Sequence, residues 1–374
     1  MTTGQPRARG LGVTFEGEPG RYNAITDVSG LEVGYTTLIS GDGPLRAGLG
    51  PVRTGVTAIC PLGRSRIGQS VPAGWYALNG NGEMTGTAWI DEAGALSLPI
   101  GLTNTHAVGT VHRGIIEWAV RTEPRLGRGW LLPVAAETWD GYLNDINGAH
   151  VGVQHIAQAL DGARSGPLAE GSVGGGTGMN CYGFKGGSGS ASRLVRLGEK
   201  TYTVGVFLQA NFGSRSELTI AGVGVGRLWS DDNPIEDGAW LAPPGAGSCI
   251  AVIATDAPLL PGQCRALARR VPLGLARTGT TGSHYSGDLF LAFSTANAGA
   301  LDSGIGDQAV PGTLRELSFL PWSDLDALYR AVVQGVEEAV LNCLVAGRTM
   351  IGRDGHRSPG LPIDRLVSLL QRQG

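Results

Sequence analysis

Two stretches in the second half of the chain, residues 249–254 (Cys-Ile-Ala-Val-Ile-Ala) and 288–294 (Asp-Leu-Phe-Leu-Ala-Phe-Ser), are almost unbroken apolar runs. Runs of that length suit strands covered on both faces. Shorter β patterns set off by glycine turns fall at residues 55–60, 95–100 and 201–208. Helical spacing predicts a helix over 111–122, with Ile115, Ile116, Ala119 and Val120 on one side, a second over 151–160, and a third over 262–271 with Cys264, Leu267, Ala268 and Val271 as its inner stripe. The longest periodic segment, 323–346, repeats Leu325, Leu328, Val332, Val336 and Val340. Ser323 is placed to cap its first turn, and Asp324 and Asp326 to favour the positive end of its dipole. A last helix, 362–371, begins with Pro362, whose missing N–H costs nothing in a first turn. Residues 1–50 read as an irregular arm with at most a few short strands. Strands gathered between pairs of helices predict an α/β protein in four layers, helix, sheet, sheet and helix. With no internal repeat and no hydrophilic linker, residues 1–374 read as one domain.

Composition adds one anomaly: 62 glycines in 374 residues, against a usual ~7%. No three-residue period supports collagen, and the glycines are interleaved with Val, Ile, Leu and Trp rather than gathered in a linker. The formal charge of −3 lacks the basic excess of a nucleic-acid binder. No apolar run is long enough to span a bilayer and none follows the start of the sequence, so a cytoplasmic address is expected. Five scattered cysteines without a C-x-x-C pair suggest neither a disulfide framework nor a zinc site, and neither a metal nor an organic cofactor is expected.

Nine of the glycines crowd residues 171–190. A P-loop fails there because Phe184 separates Gly183 from Lys185, and no G-x-G-x-x-G fits. The remaining readings are a place where backbones approach closely, or a loop shaping a small-molecule pocket. None of the six histidines forms an H-E-x-x-H pair, and no G-x-S-x-G elbow is present.

The segment Leu241-Ala-Pro-Pro-Gly-Ala-Gly-Ser248 runs straight into the apolar run at 249–254. Ser248 there is open to two readings, a hydroxyl at a strand edge or the nucleophile of a self-cleavage at Gly247-Ser248. In the second, the hydroxyl attacks the preceding carbonyl, the ester hydrolyses, and a new chain starts at Ser248 with nucleophile and base on one residue. An ordinary α-amine titrates at ~7.7–8.0, so the new amine is partly neutral near pH 7.

Six ordered blocks then resemble the DmpA-type self-processing aminopeptidases, which include L-aminopeptidases acting on D-amino-acid amides and esters, and β-aminopeptidases. They are Glu137-Thr-Trp-Asp-Gly-Tyr-Leu-Asn-Asp145, Gly174-Gly-Gly-Thr-Gly-Met179, Lys185-Gly-Gly-Ser-Gly-Ser-Ala-Ser-Arg193, Gln209-Ala-Asn-Phe-Gly213, Gly247-Ser248 and Ser286-Gly-Asp-Leu-Phe-Leu-Ala-Phe-Ser-Thr-Ala-Asn297. The resemblance implies a four-layer αββα sandwich like that of the N-terminal-nucleophile hydrolases, with different connectivity. It implies cleavage into an α chain of residues 1–247 and a β chain of residues 248–374, Ser248 as nucleophile, and Asn211 as oxyanion-hole amide. Tyr142 is implied beside the reacting carbonyl, and Ser286 and Asp288 as the pair orienting the nucleophile and its amine. Some β-aminopeptidases carry Glu where this chain has Asp288. For the free amine of a substrate, Glu137 is favoured over Asp140. The expected activity is release of N-terminal residues from small peptides, amides or esters through an acyl-enzyme, by a homotetramer. The rivals are an acyltransferase using the same acyl-enzyme and a non-catalytic ligand-binding protein on this fold.

Overall fold

The computed structural model describes residues 7–238, 240, 244–303 and 312–372; residues 241–243, at the start of the loop expected ahead of Ser248, lie outside the described residues. The strands of the two main sheets are β1 Glu32–Ser40, β2 Val52–Cys60, β3 Val71–Gly80, β4 Ala95–Leu96, β5 Ile100–Asn104, β6 Val134–Thr138, β7 Gly187–Leu197, β8 Lys200–Asn211, β9 Gly247–Thr255 and β10 Ser286–Ser294. A four-stranded sheet runs β1-β2-β5-β6, and a six-stranded sheet runs β4-β3-β10-β9-β8-β7. Helices α1 Val108–Thr122 and α2 Val153–Asp161 cover the outside of the first. Helices α3 Pro261–Ala268, α4 Val271–Ala276 and α5 Leu325–Ala346 cover the second, and α6 Ile363–Gln371 joins this layer at its edge. The αββα sandwich is the one expected from the sequence.

Strand periodicity sorts the apolar side chains into three interiors. On β9, Ile250, Val252 and Ala254 face the other sheet, whereas Cys249, Ala251 and Ile253 face the helices. On β10, Leu289, Leu291 and Phe293 point between the sheets and Phe290 and Ala292 point at the helices. Val56, Ala58 and Cys60 of β2 meet Val111 and Ile115 of α1 in a third cluster. Both faces of β9 and β10 are therefore covered, which is why their sequences are continuous apolar runs rather than alternating ones.

Several boundaries differ from the sequence pattern. The run at 95–100 is two strands in different sheets, β4 and the start of β5, because Pro99 cannot continue a ladder and the chain crosses between layers there. The helix expected at 262–271 ends at Ala268, and α4 follows with Pro272 in its first turn. Ser323 does not cap α5: it lies in a short turn, Trp322–Asp324, and the cap position falls on Asp324 with no side-chain bond to the helix. Pro362 precedes α6 as its cap rather than lying in the first turn. Strand β7 begins inside the glycine-rich block. A Cβ on its Gly189 would stand 2.1 Å from the Ala339 carbonyl of α5, so the small residues there let a helix lie directly on the sheet. Among the described residues no helix is long and apolar enough to cross a membrane.

Phe293 is fully buried between the sheets. Phe293→Ala is expected to destabilise the protein by about 3–5 kcal/mol through lost burial and an unfilled cavity, read as a fall in the urea-unfolding midpoint; a midpoint within error of the parent would place the Phe293 ring outside the core.

Candidate active site

The register of three adjacent strands assembles the site. Ser248, second residue of β9, lies opposite Asn211 on antiparallel β8 and opposite Gly287 on parallel β10; Gly247 lies opposite Ser286. Alternation along β9 turns the Ser248 side chain to the inter-sheet side, the side of Ile250. There it meets the end of β6 in the other sheet. Ser248 Oγ accepts the Trp139 backbone N–H at 3.1 Å, and Asn211 Nδ2 approaches it at 3.5 Å while donating to the Trp139 carbonyl at 2.9 Å. The Asn211 amide is fixed from behind, since its Oδ1 accepts the Asn180 N–H at 2.9 Å, which leaves Nδ2 aimed at Ser248. Two donors thus converge on one hydroxyl oxygen of a residue that is only 2% exposed. Donors so placed favour negative charge on that oxygen or on one bonded near it.

Gly247 is held by position rather than by torsion. Its N–H donates to the Tyr285 carbonyl at 3.3 Å, and a Cβ there would stand 2.0 Å from the Asn211 carbonyl. Any side chain would push β9 away from the residue that supplies the amide donor.

Ser286 and Asp288 lie together on the opposite face of the sheet from the Ser248 hydroxyl, with Ser286 Oγ donating to Asp288 Oδ1 at 2.7 Å. What they flank is the backbone at Gly247-Ser248 rather than Oγ. Burial raises the pKa of the Asp288 carboxyl, while hydrogen bonds from Ser286 and Asn79 and from the Cys249 backbone act in the other direction.

Glu137, on β6, is buried; its carboxylate accepts from the Thr105 hydroxyl and, at 3.0 Å, from the Glu83 N–H. Burial pushes its pKa up, and these two bonds oppose that. Gly82 fills the gap between this carboxylate and β10: a Cβ on it would lie 3.1 Å from Gly287 Cα and 3.2 Å from Glu137 Oε1. Asp140 is fully buried and accepts from Asn144 at 3.0 Å; desolvation pushes its pKa to about 7. It is thus committed to an internal polar network with Thr54, Asn104 and Asn144, whereas Glu137 borders β10.

Tyr142 is placed one aromatic layer further back. Its ring stacks on His356 at 4.7 Å and meets Trp240 edge-on at 5.6 Å, Trp240 in turn lies 5.5 Å from Trp139, and the hydroxyl donates to the Arg357 carbonyl at 3.3 Å. Ser248, Asn211, Ser286, Asp288 and Glu137 are therefore gathered around one strand end, with Tyr142 behind Trp139. Among the described residues no group of three or more His, Cys, Asp or Glu is placed to hold a metal ion.

Three participants were not singled out from the sequence. Trp139 acts through its peptide group, which no residue type announces, although it lies within the block 137–145. Asn79 reaches Asp288 from β3, a strand the pattern did not predict. Gln209 spans the sheets, donating to the Thr103 carbonyl at 2.9 Å and the Thr138 hydroxyl at 2.7 Å, and so fixes β8 against the end of β6.

The family model described as peptidase family S58 matches residues 23–358. The chain is 48% identical over 376 residues to a β-peptidyl aminopeptidase of Sphingosinicella microcystinivorans, covering 98% of this chain and 92% of that one. Among solved structures it resembles the L-aminopeptidase D-Ala-esterase/amidase of Ochrobactrum anthropi, described as a prototype for the serine aminopeptidases and a variant of the Ntn hydrolase fold, with TM-score 0.90, 43% identity, and 99% of each chain covered. A Burkholderia sp. β-aminopeptidase aligns with TM-score 0.87 and 43% identity over 98% of this chain and 99% of that one.

Gly247→Ala is expected to displace β9 from Asn211 and leave the chain whole. Denaturing mass spectrometry after prolonged incubation checks this, and a Gly247→Ala protein that divides at the parental rate would contradict the close-packing argument.

Proposed function

This chain belongs to peptidase family S58, and on that premise we propose that it divides itself between Gly247 and Ser248 and then uses the new N-terminal serine as its nucleophile. It is a serine aminopeptidase, a hydrolase of peptide-type bonds. The observation that carries the assignment of Ser248 is the convergence on its Oγ of the Trp139 N–H and the Asn211 amide at the start of a buried strand.

In the proposed maturation, Ser248 Oγ attacks the Gly247 carbonyl carbon, the C–N bond breaks to give an ester, and water hydrolyses it. Gly247 keeps a carboxylate and Ser248 a free amine. In turnover, the neutral α-amine takes the hydroxyl proton as Oγ attacks the substrate carbonyl. The oxyanion accepts from Asn211 Nδ2 and the Trp139 N–H. The amine returns its proton to the leaving group, and water then releases the acyl residue from Ser248. Asp288, hydrogen-bonded by Ser286, stabilises the transient ammonium from the far side of the strand. Glu137 receives the substrate's own ammonium, which limits cleavage to the first residue. Tyr142 has to release the Arg357 carbonyl to reach a reacting carbonyl. The substrates proposed are small peptides, amides or esters with a free amine, including β-amino acids, since relatives are named for β-peptides and for D-Ala esters and amides. A homotetramer of divided chains completes the proposal, on the resemblance alone.

Purified active protein is expected to resolve under denaturing conditions into chains ending at Gly247 and starting at Ser248; one intact chain in fully active protein would refute the scheme. Ser248→Ala is expected to stay whole and inactive on aminoacyl p-nitroanilides. Asn211→Ala is expected to lower the turnover rate about 10²–10³-fold, measured per divided chain, and a loss confined to KM would remove Asn211 from the oxyanion hole. An added amine acceptor that diverts product from acid to amide would reveal acyl transfer from the same intermediate.

A further inference from the structure

Strand β3 falls out of step with β10 at one place. Leu289 pairs with Ala77 and Asp288 with Asn79, so Leu78 is an extra residue on β3, and its side chain stands exposed. Such a bulge re-aims the residues beyond it and is common beside active sites. Here it re-aims Asn79. The Asn79 Nδ2 donates to Asp288 Oδ2 at 3.1 Å and to the Ser283 carbonyl at 2.9 Å, so both protons of one nitrogen are used. The first bond fixes the carboxylate oxygen that Ser286 leaves open. The second fixes the loop ending in Tyr285, whose carbonyl accepts the Gly247 N–H; Asn81 holds the same carbonyl at 2.9 Å.

We propose that Asn79 is a positioning residue for the reaction at Ser248, holding the Asp288 carboxylate in place and the loop 283–285 against the Gly247-Ser248 step. The inference rests on the role given to Asp288 above. The geometry explains why the strand carries a bulge at this point: in regular register Asn79 would pair one residue away, and its amide would not meet Asp288. It also predicts an electrostatic signature. The titratable groups around Asp288 are the Cys249 thiol, kept protonated because burial raises its pKa, and the α-amine that cleavage exposes at Ser248; Glu137 stands beyond Gly82, and His284 lies in the clasped loop. The Asn79 N–H favours the carboxylate form, so its loss raises the Asp288 pKa. On acidification two steps limit activity, protonation of the Ser248 amine and loss of the Asp288 carboxylate; the second then comes at a higher pH, and its step of the acid limb moves upward.

The test compares Asn79→Ala, Asn79→Asp and Asp288→Asn by pH profiles of kcat/KM on an aminoacyl p-nitroanilide, normalised to divided chains. Asn79→Ala is expected to lower kcat/KM about ten- to a hundredfold, the range for removing a hydrogen bond to a charged group, and to raise the acid limb by about one pH unit. Asn79→Asp, equal in shape but placing a second carboxylate beside the first, is expected to raise it further. An acid limb that stays at the parental pH in both Asn79 variants overturns the inference even where activity falls, because a merely structural role lowers activity without moving the limb. If Asp288→Asn keeps parental activity, the role of Asp288 itself fails and the inference with it, an outcome distinct from unmoved limbs with an inactive Asp288→Asn.

Discussion

The register of one strand against its two neighbours is the constraint from which the rest of the site follows. With Ser248 opposite Asn211 on one side and Gly287 on the other, the proposed nucleophile, the amide donor and the Ser286-Asp288 pair fall within one row of a sheet. A slip of a single residue would send the Ser248 side chain into the helix-facing interior, where Cys249 now packs. The covering of both faces forbids that slip, because Ile250, Val252, Cys249 and Ala251 each have an interior suited to them. Catalytic geometry is therefore enforced by ordinary hydrophobic packing further along the same strand.

The second sheet is needed as much as the first. Among the described residues, the Ser248 hydroxyl has one side-chain hydrogen-bond partner in its own sheet, Asn211; its better-placed donor is a peptide group at the end of β6. Gln209 ties that strand end to β8, and Asn180 fixes the orientation of the Asn211 amide. The site lies where two layers converge, with one backbone donor, the Trp139 N–H, whose position depends on neither rotamer nor titration. Its two carboxylates, Glu137 and Asp288, are both buried, which raises their pKa, and the hydrogen bonds each accepts act in the other direction.

How much of this was legible depended on how each residue acts. The apolar runs of β9 and β10 announced doubly covered strands, and the four layers followed from the order of elements. Ser248, Asn211, Ser286 and Asp288 were singled out through the resemblance, and the ordered blocks that carry it fall on strand ends that the fold brings together. Trp139 was not, since it contributes an N–H that every residue but proline owns. Strand β7 was hidden because its Gly-Ser-Gly-Ser-Ala-Ser start reads as a loop, yet the small size of those residues is what lets α5 lie 2.1 Å from where a Cβ of Gly189 would be. Asn79 was invisible because a bulge has no periodic signature. Part of the glycine excess, an oddity of composition, resolves into close approaches of backbone to backbone, as at Gly189 and Gly247, and part into positive-φ turns, as at Gly198 and Gly222.

The order of strands in the six-stranded sheet bears on what the proposed division after Gly247 would do to the molecule. From one edge the order is β4, β3, β10, β9, β8, β7, so the two strands after the cut lie in the middle and are bordered on both sides by strands that precede it. The long helix α5, also from the later piece, covers β7 and β8 of the earlier one. The pieces are interleaved rather than apposed, and the six-stranded sheet is complete only when both are present. Separation would require breaking two ladders and opening two interiors at once, so dissociation and unfolding become the same event. A molecule built this way can lose a covalent link in its backbone and remain one cooperative body.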